Sequence, residues 1–145
     1  MLFRSGAELA WRGQVYAVEH DEENLGYIRQ NVAQYGALNV GVVEGQAPAA
    51  LQGLPAPDAV FIGGTGGALE AILWHVAGAA RRGCRVAASF ATLENLSRAL
   101  ACARELGWEA MVAQVSAAYG VDIAGKIRLA PLNPVFVVSA TLEGE

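Results

Sequence analysis

QVYAVEHDEENLGYIRQNVAQYG, residues 14 to 36, begins as a strand and ends as a helix. Gln14 to Glu19 is a short run of β-branched and aromatic residues that follows Gly13 and stops at acids, which predicts a buried strand. Asp21, Glu22 and Glu23 then stand where acidic side chains favour a helix N-terminus. Leu25, Ile28 and Val32 recur at helical spacing, and Gly36 supplies the stop. The same step repeats outward from here. Val40 to Glu44 is a second strand, followed by a short helical piece with Pro48 in its first turn that Gly53, Pro55 and Pro57 close. Asp58 to Ile62 (DAVFI) is a third, running into Gly63, Gly64, Thr65, Gly66 and Gly67 before Leu69, Ile72 and Val76 give helical periodicity up to Gly83. Arg85 to Phe90 is the fourth, and Thr92 caps a helix carried by Leu93, Leu96, Leu100 and Ala103 that ends at Gly107. Such alternation predicts an α/β fold: a mostly parallel sheet covered by helices on both sides. After Gly107 the rhythm changes. Trp108 to Ala118 and Val135 to Thr141 are strand-like runs joined only by a connection bearing Gly, Asp and Pro, so they are expected to form a terminal antiparallel hairpin.

Composition narrows the function classes. The 145 residues suit a single domain, since one core serves roughly 100–200 residues. With 54% hydrophobic against 17% charged residues, the chain can bury a full core. A net charge of −4 argues against a nucleic-acid binder, which needs a broad basic face. The longest apolar stretch, Ala68 to Ala80, is broken by Glu70 and His75, so no membrane span is expected. The start, MLFRSGAELA, has no signal-peptide core, and the cytoplasm is the expected compartment. Cys84 and Cys102 lack metal-site spacing and are expected to be free buried thiols, with no metal bound.

In an open α/β sheet, ligands bind beyond the carboxyl ends of the strands. Glu19 sits at the first such end, where its carboxylate can accept hydrogen bonds from a ribose diol, each charge-assisted bond contributing roughly 1.5–3 kcal/mol. The competing reading makes it one more helix-start acid beside Asp21, Glu22 and Glu23. At the second end, Gly45 permits close backbone approach and Gln46 offers an amide to an adenine edge, although EGQAP also reads as a plain turn before a helix. At the third, GGTGG frees the backbone to approach a ligand and aims N–H groups at it, or is simply a loop; it lacks the Lys of a phosphate-binding loop. His20 and His75 have no Ser or Cys arranged around them for nucleophilic hydrolysis, and His75 reads as structural. Arg81 and Arg82 read as solvated helix-end charge, whereas Lys126 and Arg128, on the connection into the last strand, face either acidic substrate groups or solvent.

VYAVEHDEENLGYIRQNVAQYG, VVEGQAP, DAVFIGGTGG, ATLEN and RLAPLNPV together resemble the methyltransferase domain of the decarboxylating precorrin methyltransferases of cobalamin biosynthesis. A parallel sheet finished by an antiparallel hairpin is also the arrangement of class I, Rossmann-like S-adenosylmethionine methyltransferases. The resemblance implies a cytoplasmic enzyme that moves the methyl group of S-adenosylmethionine to a ring meso carbon of a precorrin tetrapyrrole and removes carbon dioxide from an acetate side chain. It also implies a homo-oligomer, or fusion to a further methyltransferase domain. Residue by residue, it implies that Glu19, with His20 beside it, binds the cofactor at its ribose, that Gly45, Gln46 and Ala47 border the adenine, and that Gly63 and Gly64 lie between cofactor and macrocycle. Thr65, Gly66, Gly67, Thr92, Leu93 and Glu94 would then sit near the substrate, and Lys126 and Arg128 would meet its carboxylates. For Thr92 the helix-cap role stays open beside this one, and no catalytic acid or base is assigned.

One departure accompanies these matches. The family begins with a strand and a glycine-rich turn that wraps the methionine part of the cofactor, and only MLFRSGAELAWR stands before Gly13. Gly6 to Trp11 look like the tail of the helix that follows that turn, and Met1 to Ser5 match a translated sequencing adapter. The expectation is a reading frame truncated at its start, with two sheet edges left unpaired, reduced stability and cofactor binding too weak for calorimetry. Two other functions compete. A nicotinamide-dependent oxidoreductase also places an acid at a strand tip, but the G-x-G-x-x-G turn is missing. A non-catalytic module whose open sheet edges pair with another chain is the third.

Overall fold

The computed structural model describes residues 13–142, so the readings of Met1 to Ser5 and of Gly6 to Trp11 lie outside the described residues. Two compact units divide between Leu54 and Pro55.

The first unit contains β1 (Val15–Glu19), α1 (Glu22–Tyr35), β2 (Val40–Glu44) and a 3-10 turn (Ala49–Leu51). β1 and β2 run parallel in register from Val15 opposite Val40 to Glu19 opposite Glu44. The Gly45 N–H donates to the Glu19 carbonyl at 2.8 Å and so extends the pairing beyond the carboxyl ends. Ala17 and Val40 form the buried centre, and Val15, Ile28, Val32 and Ala37 pack against them, which explains the helical spacing of the apolar residues on α1. Both helix ends follow the sequence signals. The Asp21 Oδ1 accepts from the Asn24 N–H at 2.9 Å, and Gly36 takes φ 58°, the left-handed conformation of a helix stop.

The second unit contains β3 (Ala59–Ile62), α2 (Leu69–Ala79), β4 (Cys84–Phe90), α3 (Leu93–Glu105), β5 (Ala110–Val115), β6 (Ala118–Ile123), β7 (Lys126–Pro131) and β8 (Val135–Leu142). Its main sheet has the order β3-β4-β8-β5. β3 and β4 are parallel, and β8 lies antiparallel between β4 and β5. The two terminal runs therefore pair as expected, with Ala110 opposite Ala140 and Val115 opposite Val135. The connection between them is more than a loop, however. It folds into the antiparallel hairpin β6–β7, turning at Ala124 (φ 52°) and Gly125 (φ 76°), two successive positive φ values of the kind tight hairpin turns require.

The two helices of this unit pack on one face of its sheet. Leu73 of α2 and Ala99 and Ala103 of α3 face Val86, Ala88, Val138, Ala140 and Ala110 across an apolar cavity of about 20 Å³, so both helices lie on one face. The opposite face carries the row Phe61, Ala87, Ser139 and Met111, with Phe61 and Met111 exposed. Among the described residues β1 pairs with β2 alone and β3 with β4 alone, and no helix is long and apolar enough to cross a membrane.

Gly45 has a structural reason to be glycine. Its φ is +148°, and an added Cβ would lie 2.9 Å from the Ala50 Cβ. Gly45→Ala is therefore expected to cost about 1–3 kcal/mol through overpacking and backbone strain, read as a lower urea midpoint.

Candidate functional site

The carboxyl ends of β1 and β2 lie side by side, joined by the Gly45 to Glu19 bond. Here the chain must leave the strand and enter α1, and the N–H groups of His20 and Asp21 have no ladder partner. Glu19 supplies one: its Oε1 accepts from the His20 N–H at 2.7 Å and from the Asp21 N–H at 2.9 Å. The His20 Nδ1 stands 3.2 Å from the same oxygen. The Asp21 hydrogen bond, with smaller help from the His20 N–H and ring, holds the Glu19 carboxyl below its usual value near 4.5, against the opposing effect of partial burial. Among the described residues, Oε2 of Glu19 has no hydrogen-bond partner and keeps its acceptor capacity. Gln46 is exposed and its carbonyl accepts from the Ala50 N–H at 3.0 Å, while Ala47 is half-buried. Glu44 is occupied by Arg29 at 3.2 Å.

In the second unit the carboxyl end of β3 opens into the glycine run. Gly63 and Gly64 are exposed, and Gly66 (φ 52°) and Gly67 (φ 89°) form a tight turn closed by the Ala68 N–H donating to the Thr65 carbonyl at 2.8 Å. Helix α2 starts directly after it with no side-chain cap. At the carboxyl end of β4, the Thr92 Oγ1 accepts from the Asn95 N–H at 3.3 Å, so the helix-cap role of Thr92 is realised. Leu93 and Glu94 lie exposed in the first turn of α3. Glu70 and Arg98 join the two helices: Arg98 Nε donates to Oε1 at 2.7 Å and Nη2 to Oε2 at 2.6 Å, and the Arg98 bond lowers the Glu70 carboxyl pKa. Lys126 and Arg128 do not lie on an irregular connection. They are on strand β7, on the face shared with Ile123 and Val121. Arg81 is not simply solvated, because its Nη1 holds both Asp58 oxygens at 3.2 Å. Cys84 and Cys102 are free and buried, and burial pushes both thiols up, which keeps them protonated and unreactive.

A family model described as a precorrin methyltransferase domain matches residues 8–141. The chain belongs to the precorrin methyltransferase family. This precorrin methyltransferase domain is 33% identical over 135 residues to a probable cobalt-precorrin-6B C(15)-methyltransferase (decarboxylating) of Sulfolobus acidocaldarius, spanning 92% of this chain and 70% of that protein. The crystal structure of a precorrin-6Y C5,15-methyltransferase from Geobacter metallireducens matches it with a TM-score of 0.84 at 34% identity, over 89% of this chain and 68% of that one. A SAM-dependent O-methyltransferase from Thermotoga maritima shares the fold at 18% identity, with a TM-score of 0.70 over 92% of this chain and 51% of that one. The fold is that of the class I Rossmann-like methyltransferases.

Within this precorrin methyltransferase domain the sequence signals located Glu19, the EGQAP turn, the glycine run and Thr92, but not the Glu70–Arg98 pair. Those two residues are 28 positions apart, and only the packing of α2 on α3 brings them together.

The lowered Glu19 pKa has a pH consequence. Because the folded-state value lies below the unfolded one, the stabilisation is present above the unfolded pKa and is lost as pH falls through the folded one. In melts taken from roughly pH 5 down to pH 3, Glu19→Gln is expected to lose less stability than the wild type. Parallel pH profiles would show instead that the carboxylate has no such role.

Proposed function

We propose that this chain catalyses S-adenosylmethionine-dependent methylation of a precorrin tetrapyrrole with loss of carbon dioxide from an acetate side chain, in the cytoplasm and within a single domain. Carbon 15 is common to the names of the two precorrin relatives and is the position proposed. The observation that carries the reading is Glu19 in its family context. One carboxylate oxygen is committed to the strand-to-helix turn, and the other remains an ionised acceptor at the strand tip.

That division suits a nucleoside. Oε2 of Glu19 would accept from the ribose hydroxyls, with His20 against the same carboxylate and Gly45, Gln46 and Ala47 on the adjoining strand end toward the adenine. Gly63 and Gly64 would serve the cofactor where β3 ends, and Thr65, Gly66, Gly67, Thr92 and Glu94 would border the macrocycle. Lys126 and Arg128 would meet its carboxylates, which gives exposed cations on β7 a use. When bound, S-adenosylmethionine supplies an electrophilic methyl group on a sulfonium. The chain's own contribution is alignment, which for a well-oriented pair is worth roughly 7–11 kcal/mol of barrier. The methyl passes from sulfur to the ring carbon with S-adenosylhomocysteine as the leaving group, which asks little acid–base help of the chain, and the carbon that carbon dioxide leaves takes up one proton, for which no residue is assigned.

The apolar side chains left exposed on β5 and β7, among them Met111 (70%), Ile127 (79%) and Leu129 (70%), support assembly with a second copy of the chain. Light scattering across concentration is expected to show an oligomer that the double substitution Ile127→Asp with Leu129→Asp reduces in mass. A strictly monomeric wild type would refute the assembly.

Thermal shift with millimolar ligand tests the cofactor. S-adenosylhomocysteine is expected to raise the melting midpoint, and Glu19→Ala to weaken its binding roughly ten- to a hundredfold, the loss of a charge-assisted bond. A shift with NAD and none with S-adenosylhomocysteine would sink the proposal in favour of the oxidoreductase.

A further inference from the structure

The glycine run after β3 is poorly restrained by its own sequence. It contains four glycines between residues 63 and 67, and its turn depends on positive φ at Gly66 and Gly67. Glycine has the most conformational freedom to lose on ordering. The helix that follows gives no side-chain cap to anchor it, unlike α1 and α3, where Asp21 and Thr92 do so. A restraint reaches the run from elsewhere in the chain. Arg98, on α3, presents Nε and Nη2 to the two oxygens of Glu70 at 2.7 and 2.6 Å, and the same Nη2 lies 3.5 Å from the Gly67 carbonyl. Both partners are partly exposed, with side-chain accessibilities of 45% and 42%. An ion pair in such a setting adds little to global stability. What it can do is fix geometry, because a guanidinium is a rigid planar fork that engages a carboxylate with two of its N–H groups and still has others to offer.

We propose that Arg98 is a positioning residue: locked onto Glu70 at the start of α2 and reaching the Gly67 carbonyl, it holds the glycine turn at a set distance from the Thr92 end of α3. The inference rests on the reading above that these two segments border the tetrapyrrole. Arginine is specifically required, since a lysine ammonium is a single point that cannot span a carboxylate and also reach the carbonyl in one geometry.

The test compares Arg98→Gln, Arg98→Lys and the swap Glu70→Arg with Arg98→Glu in the full chain. Amide hydrogen exchange is read at residues 65–69 and at β4, alongside melting midpoints. In Arg98→Gln the turn amides are expected to exchange roughly three- to tenfold faster while β4 is unmoved, the range for losing one weak bond to a charged donor. Arg98→Lys should recover part of the protection. The swap should keep the melting midpoint close to that of the wild type but not restore the turn, because a glutamate at 98 has no donor for the Gly67 carbonyl. Wild-type exchange in Arg98→Gln, or full recovery of turn protection in the swap, would overturn the proposal. With S-adenosylmethionine and cobalt-precorrin-6B as probes, KM for the tetrapyrrole is expected to rise by a similar factor in Arg98→Gln and in the swap. If the wild type forms no methylated product, the enzymatic reading falls, while the exchange data still decide whether Arg98 holds the turn.

Discussion

Each strand that hands over to a helix strips hydrogen-bond partners from several successive backbone N–H groups, and burying or ordering such a crossing is possible only if those donors are satisfied. This chain solves the problem in a different way at each crossing. After β1, the Glu19 carboxylate collects two N–H groups and the Asp21 side chain a third. After β4, the Thr92 hydroxyl accepts from Asn95. After β3 no side chain takes the part, and the backbone closes on itself through the Thr65 to Ala68 turn. The chemistry proposed for the molecule grows from these differences. An acid that has spent one oxygen on the fold can offer the other to a ligand, and a turn built of glycine presents bare backbone to whatever lies against it.

Much of this was legible in the sequence because the information is local. Asp21 and Gly36 bracket α1, and Thr92 starts α3, since caps depend on residues three or four positions away. The parallel steps through β4 were equally readable from apolar runs bounded by glycine and proline. The hairpin β6–β7 was not, because its turn is Ala124-Gly125 rather than an Asn-Gly or Asp-Gly pair, and its strands are too exposed to show clean alternation. Pattern reading also says nothing about order in space. That β8 would slot between β4 and β5 is set by register, with Ala88 and Val112 both opposite Val138.

At the site, residue type was readable and commitment was not. Glu19 was visible as an acid at a strand tip, yet only coordinates divide its two oxygens between the turn and open acceptor capacity. Gly45 was readable as a point of close backbone approach, but that a Cβ there would lie 2.9 Å from the Ala50 Cβ is visible only in coordinates. Arg81 suggested solvent and is bound to Asp58. Arg81 and Asp58 are 23 positions apart and Ala50 lies across a turn from Gly45, where propensity carries no signal, while for Glu19 the partners are its immediate neighbours and only the side-chain conformation decides.

The seam between the two helices of the second unit and its sheet is lined largely by alanine, with Ala88, Ala99, Ala103, Ala110 and Ala140 around the small gap left there. Short side chains let helix and sheet approach without losing rotamer entropy, but they do not fill the space completely. Such a void exists only while the chain is folded. Under hydrostatic pressure the unfolded chain occupies less volume by an amount that scales with voids of this kind. Compression is therefore expected to act on the alanine seam that joins the helices of the second unit to their sheet.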